Sequence, residues 1–204
     1  MGGSSGIILA ERGRLIVMVK APVAGRVKTR LARDIGTVPA AWWFRHQVRH
    51  LLREVKDPRW DVVLAVAPDG ALRARFWPGG FRRVAQGRGD LGARMARLLS
   101  LPHPGPVCLV GGDIPGLRAE NVARAFRLVR GSDVVFGPAE DGGFWLVGLR
   151  HPGVAPAGMF QGVRWSSADA LSDSVATLGG RRVVIADMLA DVDEVADLPG
   201  RVAG

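Results

Sequence analysis

The chain has 204 residues, 48% of them hydrophobic and 23% charged, which suits one soluble globular domain with room for a sizeable core. No apolar run approaches the ~18 residues of a membrane helix, and Ile7-Ile8-Leu9 is too brief for a signal peptide, so residues 1–13 read as a flexible leader, 14–204 as a single domain, and the chain as cytoplasmic. A net charge of +9 favours anionic partners, yet the basic residues are almost all Arg and spread through every segment, with no basic-aromatic stripe of the kind that binds nucleic acid.

Short β-branched runs alternate with longer segments of helical period, the pattern of an α/β fold whose mostly parallel sheet is covered by helices. The first strand is expected over 15–19. It runs into a segment with five basic residues, Lys20, Arg26, Lys28, Arg30 and Arg33, before the first acid at Asp34. Such crowding calls for a neutralising anion, and arginine forks and helix starts suit phosphate oxygens; an exposed basic helix start is the plainer alternative. The segment is not a P-loop, because Gly25 stands three residues before Lys28. A helix over 39–56 follows, with Ala41, Phe44, Val48, Leu51 and Val55 on one face and Arg45, Arg49 and Arg53 on the other. His46 and His50 are four apart but lack the zincin glutamate, so they read as a solvated face, and Trp42, Trp43, Trp60 and Trp77 as packing.

Strands over 62–67 and 82–85 precede Gln86-Gly87-Arg88-Gly89-Asp90-Leu91-Gly92, formally G-x-G-x-x-G. A dinucleotide fingerprint follows the first buried strand of its unit, whereas this one follows a short third strand, so Gly89, Leu91 and Gly92 read instead as a loop lying against a nucleoside. A helix over 90–99 leads to a strand over 107–110, which holds the lone cysteine, Cys108, as a core thiol, and then to Gly111-Gly112-Asp113-Ile114-Pro115. Asp113 should emerge at the carboxyl edge of the sheet. There it can anchor Mg²⁺, which takes only one or two protein carboxylates, or cap the following turn. Next come a helix over 119–130 capped by Gly131, a strand over 133–136, the turn Gly137-Pro138-Ala139-Glu140-Asp141-Gly142-Gly143, and a strand over 144–149. Asp-Gly between two strands favours a hairpin; Asp141 can also bind a cation, orient an acceptor hydroxyl or act as its base. A Gly/Pro-rich loop over 151–158, a helix from about Ser166 with Asp169 in a weak capping box, and a strand over 182–185 complete the pattern. Trp145 and Trp165 flank the proposed site. Asp191 and Asp193 offer either another metal ligand or the cap of a short terminal helix.

Five motifs occur in order: Lys20 to Ala32, Gly87 to Met95, Gly111 to Pro115, Gly137 to Gly143 and Phe160 to Ser166. Together they resemble the radical-SAM/selenodomain-associated transferase 1 family (DUF2064) from about residue 15 to 198. That family is similar to nucleotide-diphospho-sugar transferases of the GT-A fold and, more distantly, to phospholactate guanylyltransferases with their Lys-x-Arg-Leu segment. The resemblance implies a Rossmann-like αβα sandwich that binds a nucleotide through Mg²⁺ or Mn²⁺. Asp113 matches the metal-binding aspartate, and Lys28 and Arg30 match the phosphate loop. Gly112 replaces a more usual Ser, and Phe144 a common Tyr.

The expected chemistry is Mg²⁺-dependent transfer from a nucleotide-diphospho-sugar to a small-molecule acceptor. The alternative is nucleotidyl transfer from an NTP to a phosphorylated small molecule, and a third reading is a non-catalytic nucleotide- or nucleic-acid-binding protein. Asp113, Asp141 and Lys28 are the candidate catalytic residues, the two aspartates also as metal ligands. Lys20, Gly25, Arg26, Lys28, Arg30, Gly89, Leu91 and Gly92 are the candidate nucleotide contacts, and Glu140, Gly142, Gly143, Trp145 and Trp165 the acceptor side.

Overall fold

A computed structural model describes residues 12–153 and 155–189. The alternatives for Asp191 and Asp193, and all but the end of the leader, lie outside the described residues. Gly13, expected to end the leader, instead opens β1 (Gly13–Lys20). A side chain there would collide with Phe126, its Cβ only 2.5 Å from Cε1.

The described elements are β1, α1 (Leu31–Ile35), α2 (Thr37–Glu54), β2 (Trp60–Ala67), a 3-10 turn (Asp69–Ala71), β3 (Arg82–Ala85), α3 (Leu91–Leu99), β4 (Val107–Gly111), α4 (Ala119–Arg130), β5 (Val134–Pro138), β6 (Phe144–Leu149), α5 (Ala170–Ala176) and β7 (Val183–Ile185). The strands form one seven-stranded sheet in the order β3-β2-β1-β4-β6-β5-β7. Only β6 runs against its neighbours β4 and β5; the other pairs are parallel. β5 and β6 form the hairpin that Asp-Gly favours, with a bulge at Gly137/Pro138.

Successive strand residues point to opposite faces, and the core divides accordingly. Leu15, Val17 and Val19 of β1, with Cys108 and Val110 of β4, pack beneath Phe44, Val48, Leu51 and Leu52 of α2 and Val122, Phe126 and Val129 of α4. Ile16, Leu109, Phe136 and Val147 face the other way, against Met95, Leu98 and Leu99 of α3 and Ala170 of α5. Each such Leu, Ile or Phe removed from water contributes about 1.5–3 kcal/mol, so the two apolar layers hold the αβα sandwich together. Burial lifts the Cys108 thiol far above its ordinary range. Among the described residues no helix is long and apolar enough to cross a membrane.

Two expected elements differ. α5 starts at Ala170, not near Ser166: Ser166 is left-handed, with φ of 59°, and Asp169 pairs with Arg164 at 2.8 Å and caps nothing. Gly131 does end α4, but with φ of −95°, outside the left-handed region of a glycine cap.

Candidate functional site

β1 and β4 lie side by side and parallel, with Met18 opposite Gly111, and the chain leaves them in opposite directions, towards β2 and β3 on one side and β6 on the other. Such a reversal of strand order opens a crevice beyond the carboxyl ends of the strands. A cleft of about 670 Å³ stands there, bordered by the segment after β1, the segment after β3, the tip of β4, the β5–β6 turn and the loop before α5.

The tip of β4 is fixed by close packing. At Gly112 a Cβ would lie 2.8 Å from Val19 Cγ1 and 3.0 Å from the Met18 carbonyl oxygen, so the backbone hugs β1 here and glycine fits where a side chain would crowd it. Asp113 follows, its side chain one-third exposed. Its Oδ2 pairs with Lys28 Nζ at 2.7 Å, and the lysine side chain is only 5% exposed. Lys28 belongs to the turn before α1, a helix for which five residues give no periodic signal and whose Leu31 is wholly buried. Lys20, Arg26 and Arg30 line the same wall.

Opposite, Asp141 is exposed, and its Oδ1 accepts the Gly143 N–H at 2.9 Å, which shapes the hairpin turn. Asp90 opens α3 as its N-cap, accepting the Ala93 N–H at 2.8 Å. The remaining wall is apolar: Met18, Leu91, Met95, Leu109, Phe144 and Trp165. Phe144, Phe160 and Trp165 pack with ring centroids 5.9–6.2 Å apart. Arg164 holds the Trp165 turn in place through a two-pronged grip on Asp173, with both contacts at 2.9 Å, and its hydrogen bonds pull the Asp173 carboxyl down to about 2.

Of the candidate residues, Lys20, Arg26, Lys28, Arg30, Gly89, Leu91, Asp113, Asp141, Gly143, Trp145 and Trp165 line the cleft. Gly25, Gly92, Glu140 and Gly142 do not, and their neighbours say why. Gly25 and Glu140 sit on the exposed outer side of their turns. Gly92 lets α3 press against Phe160 and Trp165, and Gly142, with φ of 83°, lies against the Ala168 backbone and accepts the Leu171 N–H at 3.0 Å. Trp145 is 4% exposed, and its indole N–H is taken by the Asp187 carbonyl at 2.8 Å, so it is wall and offers no hydrogen bond to a ligand. Sequence reasoning missed Gln86, which is 3% exposed and donates to the carbonyls of Val19 (3.1 Å) and Ala65 (2.8 Å), and also Arg94, Ser166 and Ser167. Of these, Gln86 headed the glycine-rich run, Arg94 lay inside the second motif and Ser166 ended the fifth, while Ser167 carried no signal.

Electrostatically the cleft is anion-seeking: Lys20, Arg26, Lys28, Arg30 and Arg94 face Asp90, Asp113 and Asp141. Among the described residues no group of three or more His, Cys, Asp or Glu could cage a metal. Two carboxylates on one cleft, beside a cationic wall, fit instead a cation held jointly by protein and phosphate oxygens, as is usual for Mg²⁺.

The family model described as an uncharacterized protein conserved in bacteria (DUF2064) matches residues 51–167. No curated protein matches the sequence. A solved structure of a provisionally named nucleotide-diphospho-sugar transferase from Desulfovibrio desulfuricans G20 is 30% identical, with a TM-score of 0.80, over 90% of this chain and 83% of that one. Rv0371c from Mycobacterium tuberculosis H37Rv, in complex with manganese, is 17% identical with a TM-score of 0.51, over 90% and 92% of the two chains. The 4-diphosphocytidyl-2C-methyl-D-erythritol synthase of Anaerococcus prevotii DSM 20548 is 10% identical with a TM-score of 0.56, over 92% and 94%. These last two likenesses are of fold.

Proposed function

Since the chain belongs to the DUF2064 family and has the GT-A-like fold of nucleotide-dependent transferases, we propose that it is a divalent-cation-dependent transferase that uses a nucleotide-diphospho-sugar. The observation that carries this reading is one cleft, at the β1/β4 switch point, in which Asp113 stands against Lys20, Arg26, Lys28 and Arg30. The name of the 30% identical relative supports the donor class, and the manganese complex of a fold neighbour supports the cation.

In this reading an acceptor hydroxyl forms a bond to the sugar's anomeric carbon while the bond to the diphosphate oxygen breaks, and a nucleoside diphosphate departs. Lys28, Arg30, Arg26 and Lys20 bind its phosphate oxygens and offset the charge that develops on them. Asp113, with Asp141, would hold a Mg²⁺ or Mn²⁺ ion, which when bound adds further neutralisation of that leaving group. Where Asp141 does not share that ion, its exposed carboxylate would instead take the acceptor's proton, and the apolar wall of Phe144 and Trp165 would keep water from the acceptor side.

A second reading is nucleotidyl transfer from an NTP with release of pyrophosphate. The four cations of the β1 wall favour it, because a triphosphate carries more charge than a diphosphate. Product analysis separates the two readings. With Mg²⁺ present, nucleoside diphosphate released from UDP- or GDP-sugars marks the first, and pyrophosphate released from NTPs marks the second. If neither ligand class raises the melting temperature, and Asp113→Ala changes nothing, both enzymatic readings fail.

A further inference from the structure

Lys28 and a divalent cation compete for one carboxylate. The lysine ammonium lies 2.7 Å from Asp113 Oδ2 and is almost wholly covered, so this is no loose surface pair. The other carboxylate oxygen, Oδ1, lies over Gly111, where an added Cβ would stand 3.1 Å from it. The Lys28 backbone is equally committed: its φ is 47°, a left-handed value rare for a side-chain-bearing residue, and its carbonyl accepts the Ala32 N–H at 2.8 Å at the start of α1. The backbone anchor is thus fixed, and a rotation confined to the lysine's own side-chain torsions would carry its ammonium towards a different anion without any movement of α1.

We infer that Lys28 is a specificity-determining latch: it holds Asp113 against bare divalent cations and yields the carboxylate only when a nucleotide's phosphates take its ammonium. The site then selects the metal-chelated polyphosphate as a unit. This rests on the proposed role of Asp113 as cation ligand. Like charges crowded on one carboxylate repel, so a cation arriving alone must first expel the lysine into a wall that already carries Lys20, Arg26 and Arg30. A phosphate supplies the lysine with a new partner. Binding of cation and polyphosphate is thus coupled through the protein, over and above their direct attraction, and the coupling is reciprocal.

The test counts bound Mn²⁺ by the loss of the free-ion paramagnetic resonance signal, in the full-length chain without nucleotide, for wild type, Lys28→Met, Lys28→Arg, Asp113→Asn and the double variant of Lys28→Met with Asp113→Asn. The latch predicts that removing a positive charge from the site tightens Mn²⁺ binding in Lys28→Met by about tenfold, within the usual 5- to 150-fold range of couplings, while Lys28→Arg stays weak like wild type. Calorimetry with UDP and GDP should show the reverse for the anion: weaker binding in Lys28→Met, and a smaller gain on adding Mn²⁺. Melting curves show whether each variant is folded before it is scored. If folded Lys28→Met binds Mn²⁺ no more tightly than wild type while Asp113→Asn abolishes binding, the latch is wrong and the proposed cation site stands. If adding Asp113→Asn to Lys28→Met leaves the Mn²⁺ binding of Lys28→Met unchanged, the cation site itself is wrong and the latch falls with it.

Discussion

Substituting Gly112 with alanine probes how tightly the tip of β4 is seated. The added methyl would lie 2.8 Å from Val19 Cγ1, 3.0 Å from the Met18 carbonyl oxygen and 3.5 Å from Val48 Cγ2, whereas carbon atoms pack comfortably at about 3.5–4.0 Å. Val19 is 1% exposed and β-branched, so it has little freedom to turn aside. Met18 is strand backbone, paired on both edges. The segment carrying Asp113 must therefore rise off β1, an overpacking that costs about 1–3 kcal/mol. The lower chain entropy of unfolded alanine offsets about 0.4–1 kcal/mol of this. A net loss of about 1–2 kcal/mol lowers the melting temperature by roughly 2–8 °C for a chain of this size. Gly112→Ser should behave alike, and pairing either change with Val19→Ala should cost less than the sum of the two single changes, because the valine methyl is what the new group meets. Calorimetric melting of the three single and two double variants decides the matter. A neutral or stabilising Gly112→Ala would refute the argument that close approach to β1 demands glycine here.

Gly142→Ala combines a left-handed φ of 83° with a collision against the Ala168 backbone and should cost about 2–5 kcal/mol, read as a fall in the denaturant midpoint at unchanged slope. Trp145→Phe removes the indole donor to Asp187 and should cost about 1 kcal/mol with nucleotide affinity retained; a large loss of affinity would give Trp145 the ligand contact denied it here. Asp57 and Asp173 are both held down to about 2, chiefly by side-chain hydrogen bonds from Arg59 and Arg164 respectively. Depressed carboxyls stabilise the fold above their unfolded value near 4 and lose that contribution as pH falls towards 2. Asp173→Asn should therefore flatten the decline of melting temperature across that window, and overlapping pH profiles would contradict the assignment. Cys108, wholly buried with its thiol pushed upward, should react with thiol reagents only on unfolding, so fast labelling of the native chain would argue against its place in the core.

The layers were legible because burial imposes period. Alternation in β1 and β4 and the three-to-four spacing of Phe44, Val48 and Leu51 each announce a buried face, and the structure has them there. The basic run after β1 and the aspartate after β4 were legible for another reason: in a parallel sheet, whatever follows a strand arrives at one edge. What escaped notice depends on turns. Along 139–143 alternate residues line the cleft, so Asp141 and Gly143 do while Glu140 and Gly142 do not, whereas in the segment after β1 the whole run from Arg26 to Arg30 lines it and Gly25 does not. Gln86 was hidden because its importance lies in two carbonyls 21 and 67 residues away. α5 was misplaced because Asp169 had a stronger partner in Arg164 than in a helix terminus.

The lone reversed strand, β6, brings its beginning, not its end, to the cleft. The turn before it thereby forms one rim: Asp141 and Gly142 are committed there, but exchanging Ala139 and Glu140 would redraw that rim and leave the strand bearing Asp113 untouched. Under the proposed function that rim faces the acceptor, so chimaeras grafted at the turn would change which acceptor is taken without moving the cationic wall after β1.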